Sequence, residues 1–382
     1  MSAPTSDDRI PSSGAVVARR GTRRGAEEIR LPTGRQHRPA AEVRLGKENT
    51  VSTNDAPAES RRVRLGTWPT PLEPAPRLAV ALGLDAADLW VKRDDLTGLG
   101  GGGNKVRKLE WTVGAALAEG ADTLVTTGSP QSNHARLTAA AAARSGIEAV
   151  LVFPGSPGAS GSGNLALDGL FGARIVWAGD VDAEGLARVA ARTVAHLTED
   201  GRHPALIPFG GSNALGAQGY AECARELTAQ LPDVSTVVVA VGSGGTMAGL
   251  VAVLGPERVL GVDTEAMADP VSAVAEMATE AGGRVVTPAD LTVHGRPGDG
   301  YGVLTPAVED ALLLAARTEG LVLDPVYTGR ALAGLAAAVE DGTVLRGRPT
   351  VFLHTGGLPG LFGHPAAIAY AENALRDGTR GG

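Results

Sequence analysis

From Thr67 onward, short apolar runs alternate with longer stretches whose apolar residues recur at helical spacing. Leu89-Trp90-Val91-Lys92, Thr123 to Thr127, Glu148 to Phe153, Leu206-Ile207-Pro208, Thr236 to Val241, Val259 to Val262 and Thr350 to Leu353 read as strands. Lys105 to Glu119, His134 to Ser145, Gly216 to Gln230 and Met247 to Leu254 read as helices. Alternation of this kind predicts βαβ units, hence an α/β chain of mostly parallel sheets covered by helices. Ligands in such sheets bind beyond the carboxyl ends of the strands.

Two stretches break the pattern. Residues 1–60 mix Arg, Glu, Pro, Ser and Gly without lasting periodicity and are expected to be a disordered extension, its interspersed acids Asp7, Asp8, Glu27 and Glu28 arguing against a transit peptide. Pro154 to Gly163 is rich in Gly, Ser and Pro and is expected to form a mobile loop without a chemical signature.

Composition narrows the classes. A length of 382 residues accommodates two domains, and 43% hydrophobic residues can build their cores. A net charge of −7 argues against nucleic acid or an anionic membrane surface as partner. No apolar run is long enough to span a bilayer, and the first residues lack the apolar core of a signal peptide. The single cysteine, Cys223, precludes an internal disulfide and fits a reducing, cytoplasmic setting. It falls in the helix-like run Tyr220 to Leu227, where packing explains it better than chemistry.

Three segments carry chemistry. Gly102 to Glu110 places Lys105 and Lys108 after a glycine run, Gln131 to Arg136 contains Ser132, Asn133 and His134 after a strand, and Val241 to Thr246 is a glycine- and serine-rich strand-to-helix turn. Gly242, Ser243, Gly244, Gly245 and Thr246 let backbone N–H groups approach an anion at a helix N-terminus, where the dipole favours it. An anion cradle together with a reactive lysine suits pyridoxal 5′-phosphate, whose aldehyde is held as a Schiff base and whose phosphate needs such donors. Lys105 and Lys108 share a helix face, so spacing alone leaves both as carriers of the aldehyde. Ser132-Asn133 also reads as an ordinary N-cap of the helix opening at His134, a reading compatible with a substrate carboxylate at the same helix end. Gly98 to Gly103 matches a dinucleotide fingerprint and nearly a P-loop, but Asn104 and Val106 spoil the P-loop and Asp122 precedes its strand instead of ending one.

With Pro69 to Leu72, Val91 to Leu96, Gly103 to Glu110, Gln131 to His134, Pro208 to Gly216, Leu323 to Gly329 and His354 to Gly357 in order, the chain resembles the family joining D-cysteine desulfhydrase with 1-aminocyclopropane-1-carboxylate deaminase. The likeness runs from about Pro69 to about Phe362. It implies the tryptophan-synthase-β-like fold of pyridoxal-phosphate enzymes, a two-domain, three-layer αβα arrangement. A small domain of about 108–205 would be inserted into a large one of about 61–107 and 206–375, with the cofactor between them. It further implies a homodimer, a Schiff base on Lys105, Asn133 on the cofactor's 3′-oxygen, and Ser132 as a catalytic-site serine that either handles the substrate carboxylate or acts as an active-site hydroxyl, with Asn133 and His134 beside the substrate; His134, which opens a helix, reads better as structural than as a general base. Tyr301 would stand beside the substrate and Tyr327 against the pyridine ring, either as acid or base or as aromatic lining. A phenolic base would need its pKa lowered from about 10.

The deaminase branch carries a glutamate after the matching tyrosine and an apolar residue after the matching histidine; here these are Thr328 and Thr355. A neutral partner for the pyridine nitrogen suits expulsion of a good leaving group from Cβ better than opening of a cyclopropane ring. The resemblance therefore implies a β-elimination lyase, D-cysteine giving pyruvate, hydrogen sulfide and ammonia. Deamination of the cyclopropane amino acid, elimination from another β-substituted alanine, a dinucleotide-dependent oxidoreductase and a catalytically silent cofactor-binding protein remain as alternatives. No metal is expected.

Overall fold

The structure, a computed structural model, describes residues 62–158, 161–295 and 300–379, with the side chains of 377–379 left aside. The expected N-terminal extension lies outside the described residues, as do Ala159 and Ser160 of the expected loop.

In chain order the described elements are β1 (Leu72–Pro74), α1 (Pro76–Ala81), β2 (Leu89–Arg93), α2 (Lys105–Ala118), β3 (Thr123–Thr127), α3 (Asn133–Ser145), β4 (Glu148–Phe153), α4 (Asn164–Leu170), β5 (Arg174–Trp177), α5 (Ala183–Glu199), β6 (Pro204–Leu206) and α6 (Ala214–Gln230). They continue with β7 (Thr236–Val241), α7 (Gly245–Leu254), β8 (Val259–Asp263), α8 (Pro270–Gly282), β9 (Thr292–His294), α9 (Pro306–Glu319), α10 (Thr328–Glu340), β10 (Thr350–His354), α11 (Leu358–Phe362) and α12 (Pro365–Thr379). Among the described residues the strands form a six-stranded sheet, ordered β1-β2-β10-β7-β8-β9, and a four-stranded sheet, ordered β5-β4-β3-β6. Every pairing is parallel except β1 with β2, where Leu72 faces Lys92. Both sheets belong to one compact unit.

Strand β7 shows why its apolar run is unbroken. Val237, Val239 and Val241 pack into a core with α6, α7 and α8, while Val238 and Ala240 enter a second core with α1, α9 and α10. A strand covered on both faces needs apolar residues at every position, and each fully buried valine stabilises the fold by roughly 1.5–3 kcal/mol. The smaller sheet repeats the device: Leu124, Leu151 and Phe153 pack beneath α2 and α3, and Val125, Val150 and Val152 against α5. Each sheet of this unit is thus mostly parallel and covered by helices on both faces, the α/β class that the periodicity predicts and the αβα layering that the resemblance implies. No helix among the described residues is long and apolar enough to cross a membrane.

Candidate active site

The strand-to-helix turn after β7 is shaped by its glycines. Gly244 has φ +83°, and a Cβ there would come within 3.0 Å of both Val274 and Met277. The first N–H groups of α7 have no partner within the helix, so the turn presents donors and the positive end of a dipole.

The glycine run before α2 is tightly folded. A Cβ on Gly102 would fall 1.9 Å from the Asp95 carbonyl oxygen, and Gly103, at φ +128°, packs against the Thr355 carbonyl. The next residue, Asn104, donates its backbone N–H to that same carbonyl at 3.0 Å and its side-chain amide to the Thr246 hydroxyl at 3.0 Å. The start of α2 is thereby tied to β10 and to α7, and Lys105 opens the helix between them.

A cavity of about 180 Å³ lies where these ends meet, and its wall includes Lys105, Lys108, Ser132, Asn133, His134, Gly242, Ser243, Gly244, Thr246, Tyr301, Tyr327 and Thr355. Burial holds the Lys105 amine down to about 8, so much of it is neutral at mildly alkaline pH. Lys108 is fully buried; burial first, and the Lys105 charge second, hold its amine well below the usual lysine range. Its Nζ donates to the Ser212 hydroxyl at 2.9 Å, and that hydroxyl shares a 2.7 Å hydrogen bond with Ser243 on the glycine turn.

On the opposite wall, Ser132 caps α3 by accepting from the Ala135 N–H at 3.2 Å, so its N-cap role holds while it also lines the cavity. His134 is buried and its Nε2 lies 2.9 Å from the Thr126 hydroxyl. That hydroxyl spends its proton on the Ile207 carbonyl at 2.9 Å, which assigns the imidazole proton to Nε2 and leaves Nδ1 a lone pair without a hydrogen-bond partner. Burial, with the two lysines adding to it, holds His134 well below the usual histidine range, so it is neutral.

Tyr301 and Tyr327 share a 2.8 Å hydroxyl–hydroxyl hydrogen bond and meet edge to face with ring centres 6.2 Å apart. Burial pushes both phenols above their ordinary value, the reverse of what a phenolate base requires. Both phenols therefore keep their protons at neutral pH.

Two expected residues stand apart from the cavity wall. Gly245 begins α7 and donates its N–H to the Ser243 carbonyl at 3.1 Å and the Ser212 hydroxyl at 3.3 Å. Thr328 is buried behind Tyr327, its hydroxyl accepting from the Asp324 N–H at 2.8 Å and donating to the Asp324 carboxylate at 2.8 Å. Thr355 alone of the two threonines lines the cavity.

Asp324 had no role in the sequence reading. Its carboxylate accepts from the N–H groups of Val326, Tyr327 and Thr328 at 2.9–3.0 Å and so builds the turn that presents Tyr327. Asp-Pro before a helix is a turn signal from which this was legible. Ser212 was present in the Pro208 to Gly216 motif, but only folding brings it to Lys108. Among the described residues no cluster of three or more His, Cys, Asp or Glu suits a metal ion.

The donor set suits the cofactor expected from the sequence. A lysine amine of lowered pKa serves an aldehyde, and two hydroxyls, a buried second lysine and a helix N-terminus serve a phosphate. Gly242 adds that a Cβ there would press on the Tyr327 ring at 3.2 Å, so the cradle has no room for a larger residue.

Comparison with known proteins agrees. A family model described as "Pyridoxal-phosphate dependent enzyme" matches residues 63–356. A "D-cysteine desulfhydrase" of Salmonella schwarzengrund (strain CVM19633) is 41% identical over 324 residues, spanning 80% of this chain and 96% of the relative. A protein of Pyrococcus abyssi (strain GE5 / Orsay) named "Putative 1-aminocyclopropane-1-carboxylate deaminase" is 40% identical over 314 residues, 79% of this chain and 93% of the relative. A solved structure described as an ACC deaminase homologue superposes with a TM-score of 0.74 at 34% identity, covering 81% of this chain and 96% of that one. By site and by likeness, the chain belongs to the pyridoxal-phosphate dependent enzymes.

Proposed function

We propose that the protein is a β-elimination lyase acting on D-cysteine, converting it with water to pyruvate, hydrogen sulfide and ammonia. The observation that carries this reading is the wall of the cavity: among the described residues it contains lysines, hydroxyls, amides and phenols but no aspartate or glutamate, and Thr355 stands on it as a neutral hydroxyl. A wall without a carboxylate offers nothing to hold a proton on the pyridine nitrogen, which suits substrates whose Cβ substituent leaves readily. The relative named D-cysteine desulfhydrase supports the same choice.

When bound, pyridoxal phosphate supplies an electron sink for the pair released at Cα. The rest falls to the chain. Lys105 would hold the aldehyde and, with an amine poised near 8, would take the Cα proton. Gly242, Ser243, Gly244 and Thr246 would receive the phosphate, with Gly245, Lys108 and Ser212 behind them. Asn133, on the cavity wall, would donate to the cofactor's 3′-oxygen. Ser132 and the backbone N–H groups that open α3, that of His134 among them, would receive the substrate carboxylate. Tyr301 and Tyr327, both protonated, offer a proton to the departing sulfur.

The deaminase reading keeps support from the Pyrococcus abyssi relative and the superposed structure. Release of the keto acid, measured as pyruvate from D-cysteine, L-cysteine, β-chloro-D-alanine and cysteate and as 2-oxobutyrate from 1-aminocyclopropane-1-carboxylate, tests the assignment. Fastest turnover of D-cysteine is the expected result, and faster release of 2-oxobutyrate from the cyclopropane substrate overturns it. No turnover of any substrate by protein that retains the cofactor leaves the silent reading. The proposal further takes β3 to β6 and their helices, about 108–205, as the smaller domain, and the enzyme as a cytoplasmic homodimer; sedimentation tests the dimer.

A further inference from the structure

Helix α4 contributes nothing to the cavity wall, yet its first residue controls a group that does. Arg136 and Asn164 are both fully buried. A guanidinium has only donors, so the Asn164 atom that faces Arg136 Nε at 3.1 Å is Oδ1. The Asn164 Nδ2 is then fixed on the other side, where it donates to the Gln131 carbonyl at 2.9 Å and to the Asn133 amide at 2.9 Å. The atom it meets on Asn133 is therefore Oδ1, which also accepts from Arg136 Nη2 at 3.4 Å. The amide orientation of Asn133 is thus dictated by a chain of donors beginning at an arginine that can never accept. Its NH₂ end is left to face the cavity that Asn133 lines. The same Arg136 donates through Nη1 to the carbonyls of Gly100 at 2.6 Å and Gly102 at 2.9 Å, so one guanidinium ties the Asn133 helix to the loop that leads to Lys105.

We propose that Asn164, held by Arg136, is a positioning residue that sets the Asn133 amide to donate its NH₂ to the 3′-oxygen of the cofactor. This rests on the pyridoxal-phosphate site described above. Reversal of the amide would set a carbonyl oxygen against that oxygen, exchanging a hydrogen bond for a repulsion.

Asn164→Asp tests it. The substitution keeps the side chain's shape and its acceptor for Arg136 but replaces the donor with an acceptor, which favours a turned Asn133 amide. Affinity is measured by equilibrium dialysis of the apo-protein with pyridoxal phosphate and with its 3-deoxy analogue, which lacks the oxygen in question. Wild type binding pyridoxal phosphate establishes the site first; its failure to bind would sink the functional reading itself. The variant is expected to bind pyridoxal phosphate about tenfold or more weakly, the scale of one hydrogen bond lost and opposed, and the 3-deoxy analogue within about threefold of wild type. Equal weakening for both ligands would reduce Asn164 to a structural support, and no weakening for either would show that Asn133 is oriented by something else. If Asn164→Asp does not fold, Asn164→Leu, which removes the donor without turning the amide, decides between the same outcomes with a smaller preference, about threefold.

Discussion

Arg107 and Asp94 form a buried bidentate pair, with Nε and Nη2 each 2.8 Å from a carboxylate oxygen. Tyr220 donates a third hydrogen bond to the same carboxylate, and the guanidinium lies 4.1 Å from the centre of the Trp68 ring. Arg107 sits in α2 between the two lysines of the site, on the face turned away from it. The pair thereby anchors the helix that carries Lys105 to the end of β2. Arg107→Ala should lower unfolding free energy by about 3–5 kcal/mol in denaturant titration, since one partner's loss leaves an uncompensated buried charge. A loss under 1 kcal/mol would show that the pair does not anchor α2.

The two lysines should separate by chemistry. Lys105→Ala is expected to abolish covalent attachment of the cofactor, because no amine remains to condense. Lys108→Ala should leave attachment intact while weakening retention about tenfold or more, given that its Nζ bridges to Ser212 beside the phosphate turn. Borohydride reduction followed by peptide mass spectrometry checks both, and a pyridoxyl group found on Lys108 would reverse the assignment.

Attachment should depend on pH through Lys105. Only the neutral amine is nucleophilic, and burial brings its pKa to about 8. The rate at which apo-protein recaptures cofactor should therefore rise steeply up to about pH 8 and level off above it, instead of climbing towards the ordinary lysine value of 10.5. Stopped-flow absorbance across pH 6–10 follows it, and a rate still rising above pH 9 would contradict the assignment of the lowered amine.

Gly244→Asp should weaken cofactor binding severely. Its φ of +83° strains any L side chain, the new Cβ would press on Val274 and Met277, and a carboxylate would face the phosphate. Dialysis should show at least a hundredfold loss, about 2.7 kcal/mol; unchanged retention would place the phosphate elsewhere.

Thr355 and Thr328 should behave differently. Thr355→Leu dries the cavity wall and is expected to slow D-cysteine turnover with little loss of stability. Thr328→Val removes two hydrogen bonds to Asp324 behind Tyr327 and should destabilise the fold by about 1–3 kcal/mol. Thermal melts and pyruvate release on the same two proteins distinguish them. Equal effects on both measurements would mean that the threonines act as one unit.

Much of this protein was legible before folding. Unbroken valines in β7 declared a strand covered on both faces, because such a strand has no face on which a polar residue is tolerated. The turn from Gly242 to Thr246 was legible as a strand-to-helix turn offering donors, because helix N-termini carry unpaired N–H groups wherever they occur, and the fold sets it on the cavity wall. The lysine after Gly103-Asn104 and the Ser132-Asn133 cap are local signals of the same kind, set within a few residues of chain.

What tertiary structure alone decided is long-range. The sequence left Thr328 and Thr355 equivalent; the fold put one on the cavity wall and turned the other into Asp324, because a helix start shows only one side of its first turn to a cavity. Ser212 reached Lys108, and Asn164 reached Asn133, across separations of 104 and 31 residues that no local pattern encodes. The amine of Lys105 acquired its lowered pKa only when packing removed water from around it, and the phenols of Tyr301 and Tyr327 were raised for the same reason. Residue types and turns are properties of the chain, whereas proton affinity and amide orientation are properties of the surroundings that the closed fold imposes.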